Sequence, residues 1–275
     1  MSDLSLAPSS GSLAARPAGY SVMVECLRLM STVRKPSAIA RLFGVRPVSA
    51  EAKPWFDGAL GEIAVGKVLA RLGEEWRTLH AIPVGTGDTD IDHLVIGPSG
   101  VFSINSKHHR GKKVWASPKV LMVSGHKLDH LRNSRSEATR ASRILSTVAG
   151  VPITVVPVIA IVGAAQITLR GATEVKVLSS VDLVRWLRRK RAIFDLGEVQ
   201  RLSQLSTNAR VWHNSADPSV DADVVRRFEL LRRESERAYR HRLAWALVVS
   251  VGIGVVSVQV LTALATYLIA EMAGG

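Results

Sequence analysis

The sequence holds a single cysteine, Cys26. No disulfide framework is possible, which fits a reducing compartment. Acids are outnumbered, with 23 Asp and Glu against 36 Lys and Arg, for a net charge of +13. Such an excess points to a polyanionic partner, either nucleic acid or an anionic lipid surface. A merely solvated basic face is the plainer alternative. No Walker A loop, dinucleotide fingerprint or nucleophile elbow is present. The motif signatures of P-loop enzymes, dinucleotide enzymes and α/β-hydrolases are thus missing. No apolar stretch follows a basic start, so residues 1–20 do not form a signal peptide. No internal repeat is visible.

What is present is a chain of 275 residues, enough for one or two domains with a buried core. Residues 1–20, rich in Ser, Ala, Pro and Gly, read as disordered. Val22 to Met30 suggests a marginal helix, and the first 50 residues are expected to be disordered or weakly helical. From Trp55 the pattern changes. Phe56, Leu60, Ile63, Ala64, Val68 and Leu72 recur at helical spacing. Extended segments follow at 76–84, 91–96 and 101–106. Gly97-Pro98-Ser99-Gly100 joins the last two and suits a type I turn, predicting a hairpin. Segments 113–116 and 119–123 look like a further short pair. A helix is expected over 128–148, with Leu131, Ala138, Ala141, Leu145 and Val148 inward. Segment 153–162 is a β-branched run, the pattern of a central strand buried on both faces. Another strand at 175–178 and helices over 180–191 and 196–205 complete the order. The expectation is an α/β domain over 51–215, with a mixed sheet flanked by helices, then a basic juxtamembrane segment over 216–242.

Residues 243–269 contain no charged side chain. About 20 apolar residues cross a bilayer, so this span is long enough with some tilt. Trp245 and Tyr267 lie near its ends, where amphipathic rings favour the interface. Arg232, Arg233, Arg237, Arg240 and Arg242 precede the span and only Glu271 follows it. The positive-inside rule then predicts a single-pass protein of the cell membrane with its folded domain cytoplasmic.

The chemistry-bearing residues cluster around the expected hairpin. Strand side chains alternate, so Asp90 and Asp92 share one face, and Asn105 and Lys107 share a face on the next strand. An acid, a second oxygen ligand and a lysine on adjacent strands can hold Mg²⁺ and address a phosphodiester. The lysine can stabilise developing charge. Glu62, on the preceding helix, is surrounded by Gly58, Gly61 and Gly66. Each mid-helix glycine costs about 1 kcal/mol relative to alanine, which is tolerable where another backbone or a substrate comes close. Glu62 either leans over the sheet towards the metal or stabilises the helix N-terminus.

These residues carry a family resemblance. Trp55-Phe56-Asp57-Gly58-Ala59-Leu60-Gly61-Glu62, the block from Asp90 through Ile91-Asp92-His93-Leu94-Val95-Ile96-Gly97-Pro98-Ser99-Gly100 to Phe102, and Asn105-Ser106-Lys107 with Gly111 resemble the nuclease-related domain, NERD. That domain is similar to restriction-endonuclease-like PD-(D/E)xK nucleases. The resemblance covers roughly 55–162, extending towards His213. It implies a restriction-endonuclease-like fold, a divalent metal (Mg²⁺ or Mn²⁺) and an active-site set of Glu62, Asp92, Asn105 and Lys107, with the first three as metal ligands. One position departs from the pattern. Asn105 stands where the family has Glu or Asp, so one ligand charge is missing and Mg²⁺ affinity should fall. Asp90 lies on the Asp92 face and could compensate.

His126 and His130 fall at i, i+4 spacing, the pattern of two zinc ligands on one helix face, but without a cysteine or acid partner. His108 and His109 with Arg110, Lys112 and Lys113 read as a basic rim. With Arg132 and Arg135 they are the expected nucleic-acid contacts, joined by Arg140 and Arg143 on the same helix. Arg185, Arg188, Arg189, Lys190 and Arg191 suit lipid headgroups equally well. Three functions follow: a membrane-anchored, metal-dependent nuclease of DNA or RNA; a catalytically weakened domain that binds nucleic acid; or a membrane scaffold whose basic surface meets lipid.

Overall fold

The computed structural model describes residues 12–84, 90–171, 173–212 and 219–273. A 3-10 turn at Leu13–Ala15 precedes α1 (Tyr20–Met30), α2 (Ala38–Leu42) and α3 (Lys53–Leu69). Six strands follow: β1 (Arg77–Pro83), β2 (Asp90–Gly97), β3 (Gly100–His108), β4 (Lys113–Ala116), β5 (Leu121–Val123) and β6 (His126–Leu128). Then come α4 (His130–Ala149), β7 (Val155–Val162), β8 (Gln166–Leu169) and β9 (Lys176–Ser179). Four helices close the chain: α5 (Leu183–Arg188), α6 (Leu196–Thr207), α7 (Ala209–Trp212) and α8 (Ala222–Ala273).

The fold is mixed α/β. A five-stranded sheet has the order β1-β2-β3-β7-β9. Its first three strands are antiparallel, while β3, β7 and β9 are parallel. Gly97 pairs with Gly100 across Pro98-Ser99, which gives the expected hairpin. Gly100 has φ +127°, a conformation that a side chain rarely adopts. A second sheet, β6-β5-β4-β8, is also mixed. Its strands β6 and β8 are short additions that the sequence reading lacked.

Strand β7 separates two cores, as its apolar run predicts. Val158 and Ala160 join Val65 and Leu69 of α3 and Leu183 and Leu187. Ile159 and Ile161 join Val114, Ala116 and Leu121 of the second sheet. A third core lies where Leu94, Ile96 and Val101 meet Ala138, Ala141 and Leu145 of α4. The α4 stripe runs Leu131, Ser134, Ala138, Ala141, Leu145, Ala149. A four-residue step from Leu145 lands on Ala149, so Val148, expected inward, faces solvent instead. Gly150 ends α4 in the left-handed conformation.

The N-terminal segment is folded from residue 12 onward, against the expectation of disorder to residue 20; residues 1–11 lie outside the described residues. Leu13 is 0 % exposed and belongs to the core beside α4. Burying such a side chain contributes about 1.5–3 kcal/mol. The α1 helix buries Met23, Cys26 and Leu27 against Phe56 and Ala59 of α3 and Phe228 and Leu231 of α8. Burial pushes the Cys26 thiol up to about 11, so it behaves as a small apolar side chain. Beyond Trp245, the described side chains of α8 are exposed. The helix is long and apolar enough to cross a membrane.

Candidate functional site

The site forms where β2 and β3 part company. Their pairing runs from Gly97↔Gly100 to His93↔Ile104. One residue further on, the Asp92 carboxylate replaces the ladder: its Oδ2 accepts the Ser106 N–H at 2.6 Å. Strand alternation puts Asn105 and Lys107 beside it. Helix α3 can reach this end of the sheet because of a glycine. A Cβ on Gly61 would lie 3.0 Å from the His108 Cβ. Gly66 similarly admits Ala18, at 2.6 Å from its ideal Cβ position, whereas Gly58 faces open space. The close approach lets Glu62, 7 % exposed, enter the electrostatic reach of Asp92, Lys107 and Asp90. All four residues expected from the sequence thus gather at one end of the hairpin.

A fifth member was not foreseen. Glu137, on α4, accepts from the Asn105 side-chain amide with both of its carboxylate oxygens: Nδ2 lies 2.8 Å from Oε2 and 3.1 Å from Oε1. It also feels Asp92 and Lys107. An acid is thus placed beside the Asn105 amide by a helix residue 32 positions away. Glu137 is the sole acid of α4 and borders its small-residue stripe. That position on the edge of the buried face was the available signal.

Burial dominates the electrostatics. It raises the Glu62 carboxyl well above its ordinary value, with Asp92 adding to the rise and Lys107 opposing it. Asp92 is raised chiefly by burial, against the pull of Lys107 and the Ser106 N–H. Glu137 is pushed up to about 7, again by burial first, while the Asn105 amide opposes. Asn105 Oδ1 is buried with no hydrogen-bond partner. Three crowded carboxylates and an unsatisfied carbonyl oxygen, with one lysine among them, form a hard-oxygen donor set that suits a divalent cation. The described residues contain no ready-made cluster of three or more His, Cys, Asp or Glu around one metal position. What points to a cation is the donor chemistry, with Asn105 Oδ1 left unsatisfied beside the acids.

The N-terminal segment touches the same acids. The Gly19 backbone lies close enough to the Glu62 carboxylate to oppose the rise of its pKa, and the Ser21 hydroxyl donates to Asp90 Oδ2. Asp90 is thus engaged with α1. Behind Ser106, His93 Nε2 lies 2.9 Å from Ser106 Oγ and its Nδ1 lies 2.7 Å from His80 Nδ1. Burial lowers His80 to about 4 and His93 well below its ordinary value. Both rings are neutral at pH 7, and Ser106 links them to Asp92 through its own backbone.

The zinc pattern dissolves. His126 lies in β6 and His130 opens α4, so no single helix face carries both. His130 instead stacks on His109, with centroids 5.6 Å apart. Burial lowers both to about 4, and Lys107 adds to the effect. His109 is therefore neutral at pH 7 rather than a cation of the rim. Arg110, Lys112 and Lys113 are exposed beyond β3, with His108 half-buried. Arg132 pairs with Asp129 at 3.2 Å and Arg135 with Glu174 at 2.8 Å. Arg135, Arg140 and Arg143 still line a groove of about 400 Å³ on the outer face of α4.

Residues 57–162 match the nuclease-related domain, NERD, a domain with general similarity to the PD-(D/E)xK nucleases. No curated protein and no solved structure matches the chain.

Proposed function

We propose, from the NERD match over 57–162 and the acids gathered around Lys107, that this protein is a divalent-metal-dependent nuclease. It acts on DNA or RNA phosphodiesters and is held at the cell membrane by residues 243–269, with the folded part cytoplasmic. In this reading 51–215 is the nuclease-related domain and 216–242 the basic segment that meets the bilayer. The observation that carries it is the convergence of Glu62, Asp92, Asn105, Lys107 and Glu137 from four separate elements. Structural needs alone do not account for three crowded carboxylates, each raised by burial.

Glu62, Asp92 and Asn105 Oδ1 would hold Mg²⁺ or Mn²⁺. Such a cation polarises a phosphate oxygen and lowers the pKa of the water it binds. Lys107 supplies a positive charge for the oxygens that gain negative charge as the phosphodiester is attacked. Glu137, with its carboxyl near 7, can take up a proton from the attacking water at neutral pH. The basic rim (His108, Arg110, Lys112, Lys113) and the α4 arginines Arg132 and Arg135 would position the backbone through phosphate contacts. Neutral His109 fits as a hydrogen-bonding member of that rim.

The test is cleavage of plasmid DNA and of RNA by the full-length protein in detergent, with Mg²⁺ or Mn²⁺. Lys107→Ala should lower the rate by about 10²–10³. Equal cleavage by the variant would refute the site. The Asn105 amide, which occupies a family acid position, favours a second reading: a weakened domain that binds nucleic acid without cutting it. Salt-sensitive binding with no cleavage by the parent under either metal would select that reading.

A further inference from the structure

Away from the acids, a cavity of about 620 Å³ opens between α3, the segment after α2, and α8. Phe56, Leu60 and Tyr239 give it an apolar wall, and cations surround that wall. Its two acids are already neutralised. Asp57 pairs with Lys53, and Glu236 pairs with Arg232 at 3.1 Å. Arg46, Arg240 and Arg242 line the same cavity and make no ion pair among the described residues. The Nε of Arg242 is buried without a hydrogen-bond partner, and its guanidinium lies 6.0 Å from the Tyr239 ring centroid. A desolvated donor left without an acceptor is costly, so the cavity is short of an anion.

The position of the cavity identifies the anion. Arg242 is the last charged residue before the charge-free span 243–269. Three residues on, Trp245 stacks on Phe43 with centroids 5.0 Å apart and donates its indole N–H to the Leu42 carbonyl at 3.0 Å. Helix α2 and its end are thereby fixed beside the first turn of the span. Their apolar side chains point outward: Ile39 is 70 % exposed and Phe43 is 53 % exposed. Gly44, at φ +73°, allows this contact, because a Cβ there would lie 2.6 Å from the Ala238 carbonyl oxygen of α8. An exposed apolar patch beside an interfacial tryptophan lies in the membrane boundary. The basic cavity then opens at headgroup level.

We propose that this cavity binds the phosphate-bearing headgroup of an anionic glycerophospholipid, drawn from the leaflet that α8 enters. The proposal rests on residues 243–269 spanning a bilayer. Three arginines without an ion-pair partner among the described residues match the phosphate, and the apolar wall continues into the exposed helix along which acyl chains would lie. A nucleic-acid backbone has no use for that wall.

Native mass spectrometry of the full-length protein in detergent, with phosphatidylglycerol or phosphatidylcholine added, tests this. Phosphatidylglycerol should stay bound and phosphatidylcholine should not. In Arg46→Gln with Arg240→Gln, both exposed positions outside the core, retention should weaken about fivefold for each cation removed. Equal retention of both lipids, or retention unchanged in the double variant, overturns the proposal. So does inorganic phosphate binding with the same arginine dependence while phosphatidylglycerol is ignored. Loss of duplex DNA binding in the double variant, with lipid retention intact, would assign the cavity to nucleic acid instead. Flotation with phosphatidylcholine vesicles separates the two layers. A protein that floats without headgroup preference loses only the cavity proposal, whereas one that does not float loses the membrane reading itself.

Discussion

Asn105 Nδ2 donates to both carboxylate oxygens of Glu137, joining β3 to α4 across the candidate site. The amide thus stabilises an acid that a second acid at 105 would repel. Asn105→Asp restores the family pattern but places two carboxylates face to face. Without divalent cation it is expected to destabilise the protein by about 1–3 kcal/mol. Combining it with Glu137→Asn exchanges acid and amide and should recover most of that loss. Thermal unfolding in chelator and in Mg²⁺ checks both variants. A single variant as stable as the parent in chelator would show that the two residues are not coupled.

Glu137 also predicts a pH signature. Its folded carboxyl is raised to about 7 from 4.5, so the native state keeps a proton that the unfolded chain releases. The resulting penalty is absent below 4.5, grows between 4.5 and 7, and is complete above 7. Glu137→Gln should therefore stabilise the metal-free protein by about 3 kcal/mol above neutrality and leave it unchanged at low pH. Denaturant unfolding across that range measures it. The same variant should cleave more slowly, since stability is gained where function is lost.

Leu13 tests the role of the N-terminal segment. Leu13→Ala should cost about 2–5 kcal/mol, as for other fully buried leucines, with a lower urea midpoint as the readout. A midpoint equal to that of the parent would mean that this segment is not part of the fold in solution.

The arginines before residue 243 predict orientation. A periplasm- or exterior-reporting enzyme fused after Gly275 should be active, and a cytoplasmic reporter at the same point silent. The reverse pattern would place the acid site on the outer side.

The hairpin was legible because local signals agree there: two apolar extended segments, a Pro-Ser turn between them and flanking glycines. Glu62 was only half legible through the glycines beside it: Gly61 does meet a close neighbour, His108, while Gly58 faces open space. Glu137 was hidden because its partner is 32 residues away; among four arginines on an amphipathic helix, an acid looks like solvated surface. His126 was misplaced because β6 has three residues, too few to show a period of two before α4 begins. Leu13 stands alone among small residues, so only tertiary packing reveals it as core.

Helix α8 runs for 52 residues, about 78 Å at 1.5 Å per residue. Its first part is clamped by α1 and α3 through Phe228 and Leu231, and the same unbroken rod continues into the exposed part. In a bilayer it would work as a mast with no joint. A thicker membrane draws such a rod upright and a thinner one lets it lean. The clamped domain must swing by the same angle, so the height and aim of the Glu62–Asp92 cleft would follow bilayer thickness.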